Sequence, residues 1–306
     1  MKTLKILCID GGGIRGILPV TILKAVEQDR QIQVGKDFDL IAGTSTGSII
    51  AASIALNKKM EDVLEFYQTY GKKIFKRQAK VGLFKSVYSD RDLREMLRQV
   101  FGEIKLSEIE KPLLIPAVDI THGRPFTYRS HVNESDKSRE DVHLWNAVLS
   151  SCSAPVYFPP NNISQHYLSI DGGLWANNPS IAAITEVIQS FHTSLENIQV
   201  LSFGTGRQKI EFSFTKNKYW GLRQWMPLQL PSLKTKPKLL DLALHLSSES
   251  VSYHSQLLLG DRYLRIDDDL TKEVPFDDIN CMNDLMTLGE QVYQRNKDAI
   301  LQFLEQ

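Results

Sequence analysis

Gly43-Thr44-Ser45-Thr46-Gly47 lies between Phe38-Asp39-Leu40-Ile41-Ala42, a short apolar run, and Ser48-Ile49-Ile50-Ala51-Ala52-Ser53-Ile54-Ala55-Leu56, a run of small and apolar residues. The first run reads as a buried strand and the second as a helix, so the stretch predicts strand, sharp turn, helix. A serine on such a turn projects its hydroxyl above the sheet edge, and the flanking glycines are required where a Cβ would meet the adjoining strand and helix. The helix behind Ser45 directs backbone N–H groups and a positive dipole end toward charge developing at the hydroxyl. In this context the G-x-S-x-G pattern makes Ser45 a candidate nucleophile, with Gly43 and Gly47 as its elbow.

Working outward, Leu4-Lys5-Ile6-Leu7-Cys8-Ile9 is nearly continuous in apolar residues, as suits a parallel strand covered on both faces. It runs into Asp10-Gly11-Gly12-Gly13-Ile14-Arg15-Gly16, and a helix begins near Leu18. Gly11, Gly13 and Gly16 fit G-x-G-x-x-G, so a nucleotide-dependent oxidoreductase is one reading of the loop. Such a fold expects an acidic residue at the end of the next strand, whereas Asp37 and Asp39 stand at its beginning and Gly43 and Ser45 at its end. The other reading is an oxyanion hole, in which glycine amides approach a tetrahedral intermediate beside the serine. Only the second reading relates the two motifs to each other.

Further along, Leu113 to Asp119 and Arg124 to Tyr128 read as strands, and Trp145 to Ser153 as a helix stopped at Ala154-Pro155. Tyr157-Phe158-Pro159-Pro160 makes a rigid apolar corner that can line an acyl pocket. Tyr167-Leu168-Ser169-Ile170-Asp171 is a strand closing on Gly172-Gly173, which puts Asp171 at a carboxyl end, where the catalytic groups of open α/β sheets collect. Helices are expected over 238–259 and 283–304, enclosing a strand at 263–266, and Asp267-Asp268-Asp269 reads as a solvated turn.

Two segments are rich in Lys, Arg and aromatic residues, 72–88 and 207–238. They read as solvated basic faces, as anionic-ligand or lipid-surface patches, and in the second case as a lid or covering loop. The chain of 306 residues is 42% hydrophobic and 24% charged with zero formal net charge, so nothing global favours a nucleic-acid polymer. Its three cysteines are far apart and frame no disulfides, which fits a reducing cytoplasm. No run approaches the roughly 20 apolar residues of a membrane span.

Ser45 needs a base. His192, His245 and His254 follow or sit within expected helices, so Asp171, on a strand expected to run parallel to that of Ser45, is the better placed partner. Gly11 to Gly16, Gly43 to Gly47, Ser153-Ala154-Pro155-Val156-Tyr157-Phe158, and Asp171-Gly172-Gly173 with Asn177-Asn178-Pro179 together resemble the four signature blocks of patatin-like phospholipases, in the family's order. The blocks lie within 4–206 of what reads as a single domain, 1–306, whose remainder, 207–306, is a variable lid-like segment with C-terminal helices.

The resemblance implies a three-layer α/β/α fold with a mostly parallel sheet, and a Ser-Asp dyad that hydrolyses acyl esters of phospholipids or related lipids without metal or cofactor. Carried over, Ser45 is the nucleophile, Asp171 the base and Gly11, Gly12 and Gly13 the oxyanion loop, with Arg15 and Gly16 supporting that loop or, for Arg15, attracting phosphate; a salt bridge is the plainer role for Arg15. The family includes compact bacterial enzymes that are silent until a cyclic nucleotide or oligomerisation switches them on during phage infection, and then degrade the inner membrane from its cytoplasmic face. A non-catalytic storage or binding protein of the same fold is a further alternative.

Overall fold

Alternation along the first strand explains the layering. In the computed structural model, β1 (Leu4–Ile9) sends Leu7 and Ile9 into one apolar core, and Ile6 and Cys8 into a second. A strand buried on both faces has no polar side to give to water, hence its almost unbroken apolar composition. The structure describes residues 2–79, 85–131, 141–163, 165–208, 228–229, 234–235, 238–270 and 272–306.

The chain continues through α1 (Ile17–Arg30), β2 (Leu40–Gly43), α2 (Thr46–Ala55), α3 (Met60–Ile74) and α4 (Arg91–Phe101). It then forms β3 (Leu113–Asp119), β4 (Arg124–Arg129), α5 (Leu144–Cys152), β5 (Asn161–Ile163) and β6 (Tyr167–Asp171). A one-turn α6 (Gly173–Ala176), α7 (Ser180–Ser190) and β7 (Ile198–Phe203) follow. After a small ribbon of β8 (Leu228–Gln229) and β9 (Lys234–Thr235) come α8 (Lys238–Leu259), β10 (Tyr263–Ile266) and α9 (Met282–Glu305).

The central sheet has the order β10-β7-β1-β2-β3-β6-β5, with β4 also on β3. Neighbours from β10 to β3 are parallel, whereas β4 and β6 run antiparallel to β3, and β5 antiparallel to β6. Residues of α1, α2, α3, α5 and α9 fill the larger core on one face; α7 covers the other with the end of α8. The fold is therefore a three-layer α/β/α arrangement with a mostly parallel sheet. Every residue of α2 is buried, which accounts for its small side chains: the helix lies between the sheet and other helices. Among the described residues no helix is long and apolar enough to cross a membrane.

The expected helix at 238–259 and strand at 263–266 are present with those bounds, and the last helix is one residue longer at each end than 283–304. The acidic run differs at Asp267, whereas Asp269 is exposed as expected. Asp267 is not solvated: its side chain is 6% exposed and bonds the Arg265 guanidinium at 3.0 Å. Asp268 pairs with Arg295 and Asp269 with Arg207, so three consecutive carboxylates serve three different guanidinium groups. Most of the aromatic segment at 207–238 lies outside the described residues, as do 80–84 of the basic segment at 72–88.

Candidate active site

Sheet register explains how residues 126 positions apart meet. β4 occupies one edge of β3 along 114–119, so β2 and β6 must share the other. On that edge Ala42 of β2 stands opposite Leu114, and Asp171 of β6 opposite Ala117. The separation is three residues of β3, about 10 Å at roughly 3.3 Å per residue. Because β6 runs antiparallel, the carboxyl ends of β2 and β6 point at one another across this gap, and the turn beyond Gly43 spans it. The expectation of two parallel strands is corrected here: the two candidate residues are brought together end to end, not side by side.

Ser45 sits on that turn at φ 54° and ψ −124°. Few non-glycine residues adopt this region, and those that do are held by their surroundings. Here the Ser45 N–H donates to Ser151 Oγ at 2.9 Å, and the Thr44 hydroxyl to the Ala176 carbonyl at 2.6 Å. A Cβ at Gly47 would lie 2.2 Å from the Ile9 carbonyl oxygen, and one at Gly43 2.1 Å from that of Gly47. The elbow glycines are thus required by close approach. Thr46 begins α2, so the helix N-terminus lies directly behind the hydroxyl.

Asp171 is 4% exposed. Its N–H donates to the Ser153 carbonyl at 3.1 Å, and its Oδ1 accepts the Gly173 N–H at 2.7 Å. Burial pushes its carboxyl up to about 6, opposed by hydrogen bonds from the Ser45 hydroxyl and the Gly173 amide that favour the charged form. A carboxylate poised near neutrality against a serine hydroxyl can accept that proton and return it.

The glycine loop closes on the same point: an ideal Cβ on Gly11 falls 3.1 Å from Ser45 Cβ. Its amides are not equivalent. Gly11 N–H is engaged by the Asn177 carbonyl at 3.1 Å and Ile14 N–H by that of Phe276 at 2.9 Å. Gly12 and Gly13 N–H have no acceptor among the described residues, so they, and not Gly11, are the donors available to an oxyanion. Gly11 instead contributes a carbonyl, held by the Thr205 hydroxyl at 2.9 Å. Gly16 lets the loop meet the elbow, since a Cβ there would fall 2.5 Å from Thr46 Oγ1.

Arg15 is 7% exposed. Its guanidinium lies 4.3 Å from the centre of the Phe276 ring and bonds the Gly12 carbonyl at 3.4 Å and Gln208 Oε1 at 3.3 Å. Burial lowers its pKa against the attraction of surrounding acids. The salt-bridge alternative is not realised: Arg15 has no ion pair among the described residues.

Ser45 and Asp171 open on an apolar cavity of about 90 Å³ lined by Ile49, Phe66, Ile74, Leu93, Met96 and Phe158. The Tyr157-Phe158 corner is part of its wall, as expected of an acyl pocket. A second, polar cavity of about 440 Å³ adjoins it, sharing Phe75, Tyr157, Asn177, Leu244 and Phe276, and contains Arg15. His245 lines the polar cavity only, and neither His192 nor His254 lines either one.

Sequence reasoning misses the anchor of the glycine loop. Asp10 is 2% exposed, and both its carboxylate oxygens take bonds of 2.7 Å from Arg265 of β10, which also donates to Ser202 at 2.8 Å. Burial works against the Arg265 charge, but Asp10 and Asp267 overcome it and raise its pKa well above the usual value. The available signal is an acid that closes one apolar strand, Asp10 directly after Ile9, and a lone base inside another, Arg265 within Tyr263–Ile266. Buried charges of opposite sign require each other.

Comparison with known proteins agrees with these motifs. A family model described as "Patatin-like phospholipase" matches residues 7–184. Patatin-like protein 4 of Arabidopsis thaliana is 30% identical over 95% of this chain and 83% of its own length. The cGAMP-activated phospholipase of Escherichia coli (strain TW11681) is 31% identical over 66% of this chain and 62% of its own. Among solved structures, VipD from Legionella pneumophila aligns with all of this chain and 67% of its own at 11% identity, with a TM-score of 0.49. With more than half of its length matched by the family model, and a relative at 30% identity over nearly all of it, the chain belongs to the patatin-like phospholipase family.

Proposed function

We propose that this protein is a lipid acyl hydrolase of the phospholipase A type, cleaving carboxylic esters of membrane phospholipids through Ser45 and Asp171. The observation that carries this reading is that Ser45, on a strained turn, and Asp171, a buried carboxyl pushed up to about 6, line the same apolar cavity.

The steps follow from those positions. Asp171 takes the Ser45 proton as Oγ attacks the ester carbonyl, and the Gly12 and Gly13 amides receive the oxyanion. The intermediate collapses with cleavage of the bond to the leaving alkoxide, which takes the proton from Asp171 and departs as lysolipid. Asp171 then deprotonates a water that attacks the acyl-enzyme; collapse releases fatty acid and returns the proton to Ser45. The acyl chain lies in the apolar cavity and the head group in the polar one, with Arg15 beside the phosphate. The protein works from the water side, peripherally at a cytoplasmic membrane face, and needs neither metal nor cofactor.

A second reading is favoured by the likeness to the cGAMP-activated phospholipase. In it the same activity is silent until a cyclic nucleotide binds, as in an antiphage effector that degrades the cell's own membrane. The test is fatty-acid release from mixed phospholipid vesicles by wild type, Ser45→Ala and Asp171→Asn, each with and without a panel of cyclic nucleotides. Additive-independent release lost in both variants supports the constitutive enzyme, and release dependent on one nucleotide supports the switched one. Turnover by Ser45→Ala refutes both.

A further inference from the structure

The carboxyl end of α5 lies where nucleophile and base meet. Ser151 Oγ accepts the Ser45 N–H at 2.9 Å and donates to the Pro116 carbonyl at 2.6 Å. Two residues on, the Ser153 carbonyl accepts the Asp171 N–H at 3.1 Å. Pro116 belongs to the stretch of β3 that separates the partner of β2, Leu114, from the partner of Asp171, Ala117. One helix end is therefore bonded to the backbone of Ser45, to that of Asp171, and to the strand between them.

The neighbouring serines give the contrast. Hydroxyls inside helices commonly bond back to a carbonyl four residues earlier. Ser150 does so to Asn146 at 3.0 Å, and Ser153 to Leu149 at 2.8 Å. Ser151, wholly buried, instead turns its hydroxyl out of the helix to the elbow and to β3. The amide it receives belongs to Ser45, whose φ of 54° persists only while the surroundings hold it.

We propose that Ser151 is a positioning residue that holds the strained backbone of Ser45 in register with Asp171, tying the turn to β3 through its single hydroxyl. It touches neither the lipid nor the reacting atoms. Without it, a part-buried amide and a buried carbonyl each lose a partner, and the turn is free to relax away from the carboxylate. The inference rests on the Ser45–Asp171 reading above.

The experiment compares wild type, Ser151→Ala, Ser151→Thr and Ser45→Ala. Steady-state turnover of a phospholipid in mixed micelles is measured together with the rate of Ser45 labelling by a fluorophosphonate and with the melting temperature. The expected result for Ser151→Ala is a fall in kcat and in labelling rate of roughly 10- to 100-fold at unchanged KM, the size of effect expected when a buried donor is left unpaired. Ser151→Thr, which keeps the oxygen, recovers most of both. The acid limb of the kcat profile moves to higher pH in Ser151→Ala, because the Ser45 hydroxyl no longer steadies the carboxylate; a purely structural role would leave it in place.

Wild-type kcat and labelling in folded Ser151→Ala, with Ser45→Ala inactive, would overturn the proposal alone. An active Ser45→Ala would overturn the reading beneath it. Should the alanine variant not fold, Ser151→Cys, close in volume and a much weaker acceptor, carries the same comparison and the same two outcomes.

Discussion

Asp171→Asn is expected to make the protein inactive and more stable at once. Burial raises the carboxyl from 3.8 to about 6. That is about two units, or about 3 kcal/mol at 1.36 kcal/mol per unit, by which the ionised group disfavours the fold above pH 6. The sign follows from which state holds the proton. Between pH 4 and 6 the folded protein binds a proton that the unfolded chain has released, so stability from this group is greatest below 4 and is lost as pH rises through 6. Asparagine keeps an oxygen for the Gly173 amide and removes the charge. With an unfolding entropy of about 2.1 cal/mol/K per residue over 306 residues, 3 kcal/mol corresponds to roughly 4–5 °C. Melting curves of both proteins at pH 8, 6, 5 and 4 should show a gap of about that size at pH 8, only slightly smaller at 6, roughly halved near 5 and largely closed at 4, while turnover is lost throughout. An asparagine variant no more stable than wild type at pH 8, or a gap independent of pH, would refute the electrostatic account of the site.

Other consequences are direct. The pH profile of kcat/KM should fall tenfold per unit below about 6 and level off above it, because Asp171 acts as base only when ionised; a profile flat to pH 4.5 would remove Asp171 from that role. Gly12→Val should lose about 100-fold in kcat, equivalent to roughly 3 kcal/mol of oxyanion stabilisation, since its Cβ would fall 2.2 Å from Thr205 Oγ1 and displace the amide; stopped-flow acylation with a chromogenic ester measures it. Arg15→Met should depress hydrolysis of phospholipids far more than of a phosphate-free p-nitrophenyl ester if the guanidinium meets phosphate, whereas equal losses on both substrates would make it a support of the Gly12 carbonyl alone. Arg265→Met, which leaves Asp10 and Asp267 without their shared cation, should cost about 3–5 kcal/mol in urea unfolding; a loss below 1 kcal/mol would show that the pair is not needed.

What was legible in the sequence is what is encoded locally. The elbow, the glycine loop and the Asp171-Gly172-Gly173 block are each a strand end followed by residues able to turn sharply, and the structure places all three together. The direction of β6 was not legible, because pairing with β3 depends on contacts some fifty residues away, and a five-residue strand reads alike in either direction. Nor could the pattern separate Gly11 from Gly12 and Gly13, since the difference lies in Asn177, 166 positions away, whose carbonyl takes one amide and leaves the others. Asp267 reads in the sequence like its neighbour Asp269, which is exposed, because nothing local shows that Arg265, the partner of Asp267, is itself buried.

The antiparallel strand gives the site a dependence that a wholly parallel sheet would not have. In a parallel sheet, groups at successive strand ends sit side by side, about 4.8 Å apart, and their spacing is fixed by the hydrogen-bond ladder between them. Here β2 and β6 are not bonded to each other where they meet; each pairs with its own part of β3, and the gap between Ala42 and Asp171 is set by the intervening residues of that strand. No ladder spans the gap, so side-chain bonds must bridge it: the end of α5 does so through Ser151 and Ser153, beside the direct bond from the Thr44 hydroxyl to Ala176 of α6. It follows that substitutions along β3 at Ile115 and Pro116 should perturb catalysis as strongly as substitutions beside the serine itself. In particular, Pro116→Gly, which loosens the strand at the carbonyl that Ser151 grips, should lower kcat with little change in KM. The same substitution at Pro125, paired with Val118 on the opposite edge, should leave kcat near wild type. Equal effects at the two prolines would mean that β3 contributes general stiffness, and that the spacing of Ser45 and Asp171 is set elsewhere.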